Sequence, residues 1–241
     1  MHPNNKNHHA LLKWPELVEG VLIERYKRFM ADVKLRNHHV VTAHCPNSGS
    51  MKACCEPGRT VYLSRHNKPS RRLKYTWEMI QMENSLVGVN TMVPNRLTEA
   101  AIIAGDVPEL SGYEKVRTEV KYGENSRIDI LLEKGKNRCF VEVKNCTLVN
   151  EGIACFPDAV TSRGLKHLVE LQNQVTQGDR SVMFYLIQRM DANRFEPADH
   201  IDPAYGKELR KAVSNGVEML VYDVRMDLEG IQLNRPLPFE L

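Results

Sequence analysis

The spacing of apolar and polar positions predicts short strands in the first third of the chain. Strand-like runs, mostly half-buried in character, cover residues 17–24, 29–35 and 60–64. Turn-forming residues separate them, at 37–39, 46–49 and 57–58. Because several short strands follow one another closely, this part of the chain is predicted to be a small barrel or sandwich, with an OB-like β-barrel as the favoured form.

The remainder of the chain alternates between helical and strand periodicity. The predicted order is a helix, three strands, a helix, a strand, a helix and a strand, at 95–104, 115–121, 126–132, 139–145, 162–177, 181–187, 204–214 and 217–224. This order predicts a mixed sheet flanked by helices. The fold class is therefore α/β (α+β), with a barrel domain at 14–86 and a second domain at 87–241. Residues 1–13, rich in Asn and His, are predicted to be a disordered leader.

Composition places the chain among globular proteins, with 42% hydrophobic and 26% charged residues. No apolar run reaches the roughly 18 residues that a membrane-spanning helix needs, and the start lacks the apolar stretch of a secretory signal. The six cysteines are scattered, which indicates reduced thiols and a cytoplasmic location. A zinc site at His44, Cys45, Cys54 and Cys55 is not favoured, because the paired Cys-x-x-Cys spacing is missing.

Charge is distributed unevenly, although the formal net charge is only +3. Residues 13–74 contain 13 basic and 5 acidic side chains, whereas residues 75–241 contain 19 basic and 25 acidic ones. A basic block of this kind binds phosphate backbones by releasing counterions, and a solvated basic face remains the alternative. The predicted nucleic-acid contacts in this block are Arg25, Tyr26, Lys27, Arg28, Lys52, Arg71, Arg72 and Lys74. Tyr26 is equally compatible with a place in the core.

The residues suited to catalysis lie on two neighbouring predicted strands. Asp129 is expected on the face opposite Ile128, Ile130 and Leu132, and Glu142 and Lys144 share one face of the next strand. One carboxylate from each strand can meet at Mg²⁺ or Mn²⁺, which is typically held by one or two carboxylates, waters and substrate phosphate. Lys144 would assist the attacking water or neutralise charge on the phosphate.

The Asp-x(12)-Glu-x-Lys spacing resembles that of the PD-(D/E)xK nuclease superfamily, and so does the order of elements around it. Glu99 and Glu119 are candidate further metal ligands, or else ordinary surface acids. Arg163 and Lys166 follow Thr161, a predicted N-cap, and are candidate phosphate contacts near a positive helix end. Their alternative is a solvated helix face. His167 is expected to be structural.

Longer segments resemble the sugar fermentation stimulation protein A (SfsA) family. The segments that carry this resemblance are Glu24-Arg-Tyr-Lys-Arg-Phe, His44-Cys-Pro-Asn-Ser-Gly-Ser-Met, Val89-Asn-Thr, Asn95-Arg-Leu, Glu119-Val-Lys-Tyr-Gly, Ser126-Arg-Ile-Asp, Val141-Glu-Val-Lys-Asn, Phe156-Pro-Asp-Ala-Val-Thr-Ser-Arg-Gly and Lys166-His-Leu. The resemblance implies an OB-like domain, a nuclease-like domain, and a prokaryotic cytoplasmic DNA-binding protein linked to regulation of sugar (maltose) utilisation. Asp129, Glu142 and Lys144 stand at the family's nuclease-like motif.

Two functions remain open from the sequence. The first is a DNA-binding, metal-dependent phosphodiesterase, and the second is a non-catalytic DNA-binding regulatory module that keeps a relic nuclease fold. A sugar-phosphate or nucleotide enzyme is less favoured, because no phosphate loop or dinucleotide glycine pattern is present. DNA or RNA, single or double strands, and a monomer or a homodimer all remain open.

Overall fold

The structure, a computed structural model, describes residues 10–123 and 126–241. Within them lie sixteen strands and three α-helices. None of these helices is long and apolar enough to cross a membrane. All six cysteines are free thiols.

A closed barrel forms the N-terminal domain. After the short β1 (Leu12–Lys13), its strands are β2 (Leu17–Tyr26), β3 (Met30–Leu35), β4 (Val40–His44), β5 (Thr60–Arg65), β6 (Tyr75–Gln81) and β7 (Leu86–Gly88). They lie in the order β4-β3-β2-β5-β6-β7, and parallel pairing of β4 with β6 closes the ring. The interior is filled by buried apolar side chains, of which Trp77 and Leu63 are among the largest. The predicted OB-like barrel is thus confirmed.

A seven-stranded mixed sheet forms the C-terminal domain. Its further elements are α1 (Val93–Ala104), β8 (Lys115–Tyr122), β9 (Ser126–Lys134), β10 (Asn137–Cys146), β11 (Leu148–Asn150), β12 (Ile153–Phe156), α2 (Ser162–Thr176), β13 (Arg180–Ile187), β14 (Arg194–Pro197), α3 (Pro203–Ser214), β15 (Glu218–Met226) and β16 (Gly230–Pro236). The sheet order is β1-β16-β15-β13-β10-β9-β8, and β11, β12 and β14 form a small separate sheet.

Helices cover both faces of the large sheet, and each face has its own core. Leu97 and Ala101 of α1 pack with Val141 and Val143 on one face. Leu168 of α2 and residues of α3 pack on the other face. Glu142 and Lys144 alternate with the two valines and therefore project toward the α2 face, as the two-residue period of a strand requires.

Helix α2 begins where the sequence predicts it. Thr161 is the N-cap, and its side-chain hydroxyl accepts a hydrogen bond of 3.0 Å from the backbone N–H of Gly164. Leu168 and Leu171 face the sheet. This amphipathic helix therefore lies across the end of β10, with residues of its first two turns above Glu142 and Lys144.

Two of the sequence predictions are wrong in detail. Leu12–Lys13 pair with β16 and so are not part of a disordered leader, while residues 1–9 lie outside the described residues. Ile128 packs on the α2 face, whereas Ile130 and Leu132 pack on the α1 face. The alternation of β9 breaks beside Glu119 of β8, which has a left-handed backbone (φ 54°), although the register of β8 against β9 is the same on both sides of this point.

Candidate active site

The site opens where two strands separate. The antiparallel pairing of β9 with β10 ends at the Ile130–Val141 pair. Asp129 and Glu142 are the next residues on the two strands. The backbone N–H of Val143 donates to Asp129 Oδ2 at 2.8 Å, and Asn95 Nδ2 donates to Asp129 Oδ1 at 2.7 Å. The Asp129 carboxylate thus accepts a hydrogen bond from a backbone N–H of β10 that no longer pairs with the backbone of β9. The two strands remain separated around this carboxylate.

Glu142, Lys144 and His167 form one hydrogen-bonded group. Lys144 Nζ donates to Glu142 Oε1 at 2.6 Å, and His167 Nδ1 contacts the same oxygen. Arg163 Nε approaches His167 Nε2 at 3.4 Å. An arginine can only donate, so Nε2 is the acceptor in this contact; the Glu142 carboxylate can only accept, so Nδ1 donates to Oε1, with Lys144 Nζ 3.2 Å from the same nitrogen. Glu142 Oε1 therefore receives both a lysine and a histidine N–H.

The two carboxylates differ in their electrostatics. Burial, together with the charge of Glu142, raises the pKa of Asp129 from 3.8 to about 6. Burial also acts to raise the pKa of Glu142, but Lys144 and His167 outweigh it and the net shift is downward. Glu142 therefore loses its proton more readily than Asp129, which carries its charge at a cost near neutral pH.

One carboxylate oxygen in the site has no donor. Glu142 is 2% exposed, and its Oε2 has no hydrogen-bond partner among the residues that the structure describes. A buried, unpaired oxygen of a charged carboxylate is costly unless a cation meets it. No three His, Cys, Asp or Glu side chains in the described ranges gather closely enough to hold a metal by themselves. Glu142 and Asp129 hence fit a hard cation that completes its shell with water and substrate oxygens.

The barrel supplies the opposite wall of the cleft, which has a volume of about 370 Å³. The segment from Asn47 to Gly49 lines it, facing the carboxylates across the domain boundary. Asp158, in the loop before α2, accepts a hydrogen bond of 3.0 Å from the backbone N–H of Met51. Arg25 donates to the carbonyls of Asn47, Gly49 and Ser50. This barrel loop is thus fixed from both domains.

The two additional acids predicted as metal ligands lie elsewhere. Glu99 is on α1 and Glu119 is on β8, where its side chain is exposed. Neither lines the cleft that contains Asp129 and Glu142. Their role as ligands stays a prediction, and the geometry gives it no support.

The predicted nucleic-acid contacts are scattered over several surfaces. Of these ten residues only Arg163 lines the cleft, and Lys166 instead pairs with Glu170 at 3.5 Å. Five are exposed on the barrel domain, namely Lys27, Arg28, Lys52, Arg72 and Lys74. Arg25, Tyr26 and Arg71 are half-buried and make internal hydrogen bonds. Arg25 uses its guanidinium on carbonyls of its own domain, so its visible role is to hold the cleft loop.

Three residues of the site were not predicted from the sequence. His167, expected to be structural, touches both Glu142 and Lys144. Asn95 holds Asp129, and Asp158 ties the two domains together. His167 follows Arg163 by four residues, so both lie on one face of the helix, and this spacing in the sequence could have linked His167 to the predicted phosphate contact. Nothing in the local sequence around Asn95 or Asp158 indicates a long-range partner.

Comparison with known proteins agrees with this architecture. Residues 23–89 match the model described as the SfsA N-terminal OB domain, and residues 92–230 match the sugar fermentation stimulation protein RE domain. Two relatives are named sugar fermentation stimulation protein homolog. The one from Geobacter sulfurreducens is 56% identical over 92% of this chain and 95% of its own length. The one from Maricaulis maris is 50% identical over 95% and 99%.

A solved structure extends the agreement to three dimensions. It is described as Pyrococcus furiosus SfsA in complex with Ca²⁺, and it matches with a TM-score of 0.88 and 25% identity. The match covers 96% of this chain and 99% of that one. Two family models that together span both domains, and relatives at about half identity, make the assignment direct. The chain belongs to the sugar fermentation stimulation protein (SfsA) family.

Proposed function

We propose that this protein is a DNA-binding, metal-dependent phosphodiesterase whose cutting site contains Asp129, Glu142 and Lys144. The observation that carries the proposal is the buried Glu142 Oε2, which has no partner within residues 10–123 and 126–241 although Oε1 of the same carboxylate has two. A carboxylate kept charged beside a lysine, in an open cleft, is suited to hold a cation next to a phosphate.

Asp129 and Glu142 would hold Mg²⁺ or Mn²⁺. Such a cation, when bound, polarises a phosphodiester and lowers the pKa of coordinated water. It would also remove the electrostatic cost of charging Asp129, whose pKa is raised to about 6 without it. The similar protein from Pyrococcus furiosus is described as a Ca²⁺ complex, which supports a divalent-cation site in this fold.

The chain's own cations have separate tasks. Lys144 Nζ bonds Glu142 and retains N–H donors, which would stabilise negative charge that develops on the phosphoryl group. Arg163 lines the cleft and is exposed, so its guanidinium can bind a non-bridging oxygen of the scissile phosphate. His167 donates to Glu142 and keeps that carboxylate oriented.

The basic barrel would hold the DNA backbone. Its exposed lysines and arginines supply a sequence-independent attraction that weakens as salt increases. The barrel loop at the cleft then brings the bound strand to the carboxylates. In this proposal the protein acts in the cytoplasm, and a homodimer would allow both strands of a duplex to be cut.

A second function uses the same fold without chemistry. A DNA-binding regulatory module would retain the carboxylates as relics and act on sugar metabolism, in keeping with the name of the relatives. The tight pairing of Lys144 with Glu142 at 2.6 Å is compatible with this alternative, because such a pair also stabilises a buried strand end.

Cleavage of labelled DNA separates the two functions. Purified protein is incubated with single- or double-stranded DNA in Mg²⁺, Mn²⁺ or EDTA, beside the variants Glu142→Gln and Lys144→Met. The matched control is Lys136→Met, an exposed lysine in the turn between β9 and β10. Gel shifts of the same proteins report DNA affinity independently of cutting.

The phosphodiesterase predicts cutting that needs metal, persists in Lys136→Met and disappears in the two site variants while their gel shifts remain. No cutting in any metal, with intact gel shifts in all four proteins, establishes the regulatory module instead. Cutting that survives in both site variants contradicts the assignment of the site.

A further inference from the structure

A second pocket lies on the other side of the segment that joins the two domains. It has a volume of about 320 Å³ and is bounded by the barrel, the residues around Trp14 and the start of α1. Asn90 and Met92 line this pocket, while Thr91 and Asn95 line the cleft described above. The linker therefore separates two cavities of similar size. A volume of this order suits a small ligand.

Cationic and hydrogen-bonding side chains converge in the pocket from four elements. Arg71 comes from the loop before β6, Arg96 from α1, His44 from the end of β4, and His66 follows β5. The Arg71 guanidinium donates one N–H to Thr76 at 2.6 Å, and its other guanidinium N–H groups have no acceptor in the described ranges. Arg96 is exposed at the mouth. A half-buried guanidinium with unused donors is a receptor for a planar or tetrahedral oxyanion.

The floor of the pocket is preorganised. Glu78 is buried, and its two oxygens accept hydrogen bonds of 2.6 Å each, from Ser64 and from Asn90. His66 Nε2 lies 2.9 Å from the Thr76 hydroxyl. The single negative charge of Glu78 offsets only part of the positive charge of Arg71, Arg96 and Lys13, which line the same pocket.

The pKa values of the two histidines reflect burial and the positive charge around the pocket. Burial and the charge of Arg71 lower the pKa of His44, and the same causes lower the pKa of His66. Glu78 opposes the shift of His66, whereas Lys68 and His44 add to it. An oxyanion beside Arg71 would oppose the effect of its charge and favour the protonated form of both imidazoles.

We propose that this pocket is a phosphate-monoester site built on Arg71, Arg96, His44 and His66, separate from the carboxylate cleft. Two sources share this chemistry, a free mononucleotide or similar small phosphate and the terminal phosphate of a nucleic-acid strand. The site does not depend on whether the cleft cuts DNA.

Inorganic phosphate is the first probe. Its binding to the full-length protein in EDTA is monitored by the NMR signals of the imidazoles. Sodium chloride keeps the ionic strength constant, and His→Asn variants assign the signals. We expect phosphate to shift the signals of His44 and His66, while His167 in the cleft serves as an internal control and does not move. Equal or larger shifts at His167 would place the anion in the cleft and overturn the proposal.

Arg71→Gln and Arg96→Gln should each raise the phosphate concentration at half-saturation by about tenfold or more, because each removes a charge-assisted contact. Arg72→Gln, an exposed neighbour outside the pocket, is the matched control and should change nothing. Unchanged phosphate binding in both pocket variants refutes the site, and melting curves confirm that each variant is folded.

Two further binding experiments distinguish the two sources of the phosphate. Adenosine 5′-monophosphate is compared with a DNA oligonucleotide carrying or lacking a 5′-phosphate. Tighter binding of the phosphorylated strand that Arg71→Gln abolishes identifies a strand end as the ligand. Displacement of phosphate by the mononucleotide alone identifies a free ligand. All of these experiments measure binding in EDTA and none measures cutting, so a failed cleavage assay does not affect this result.

Discussion

The substitution Asp129→Asn tests the electrostatics of the candidate site. Asp129 is largely buried and has a pKa raised from 3.8 to about 6, first by burial and then by the charge of Glu142. In the metal-free protein, its ionisation therefore opposes folding. Between about pH 4 and pH 6 the unfolded chain has lost this proton and the folded chain keeps it, so the free energy of unfolding decreases as the pH rises. An asparagine has no such charge.

The magnitude follows from the size of the shift. A rise from 3.8 to about 6 corresponds to an upper limit of about 3 kcal/mol, at 1.36 kcal/mol for each pKa unit. The two hydrogen bonds of Asp129 can both persist in the variant. The asparagine oxygen accepts from the N–H of Val143, and Asn95 rotates its amide to accept from the new Nδ2. The gain in stability should thus approach the electrostatic limit.

Urea unfolding in EDTA at pH 4 and pH 8 measures the effect. We expect the variant and the natural protein to be equally stable at pH 4, and the variant to be more stable at pH 8 by about 1 to 3 kcal/mol. Adding Ca²⁺ at pH 8 should stabilise the natural protein more than the variant. Glu133→Gln is the control on the same strand, since Glu133 lies at its far end and pairs with Arg117 at 3.5 Å. The reasoning would be refuted if the difference in the free energy of unfolding between Asp129→Asn and the natural protein were no larger at pH 8 than at pH 4.

Four other predictions use the same structure. Arg25→Met should lower the free energy of unfolding by about 3 kcal/mol, because a charged donor to several carbonyls is lost, and urea unfolding measures this. Thr161→Ala should cost about 1 kcal/mol in the same assay, through loss of the N-cap bond. Glu99→Gln and Glu119→Gln should leave Ca²⁺-induced stabilisation unchanged, since neither lines the cleft, and a reduced thermal shift would restore them as ligands. DNA affinity measured by gel shift should decrease steeply with salt, and the residues preceding position 75 should supply most of it; full affinity in a chain with neutralised barrel lysines would contradict this.

The elements around the site were largely predictable because their periodicity is local. The helix beginning near Asn95, the three strands that follow it and helix α2 agree with the predictions to within a few residues. The strands β4, β6, β7, β11, β12, β14 and β16 were not predicted from the sequence. The pairing of β4 with β6 that closes the barrel exists only after the barrel has formed. Ile128 was assigned to the wrong face because the break in the alternation of β9 beside Glu119 leaves no mark in the sequence pattern.

The sequence by itself determined the chemistry available: two carboxylates and a lysine at strand spacing, in a chain with a basic first third. These features are local, and side-chain type and strand period suffice to recognise them. Only the tertiary structure decided which residues join them. It brings His167 and Asn95 to the carboxylates, leaves Glu99 and Glu119 outside, and turns Arg25 toward carbonyls of the cleft loop. The physical reason is that these contacts link residues far apart in the chain, so they exist only after the barrel and the sheet have packed together.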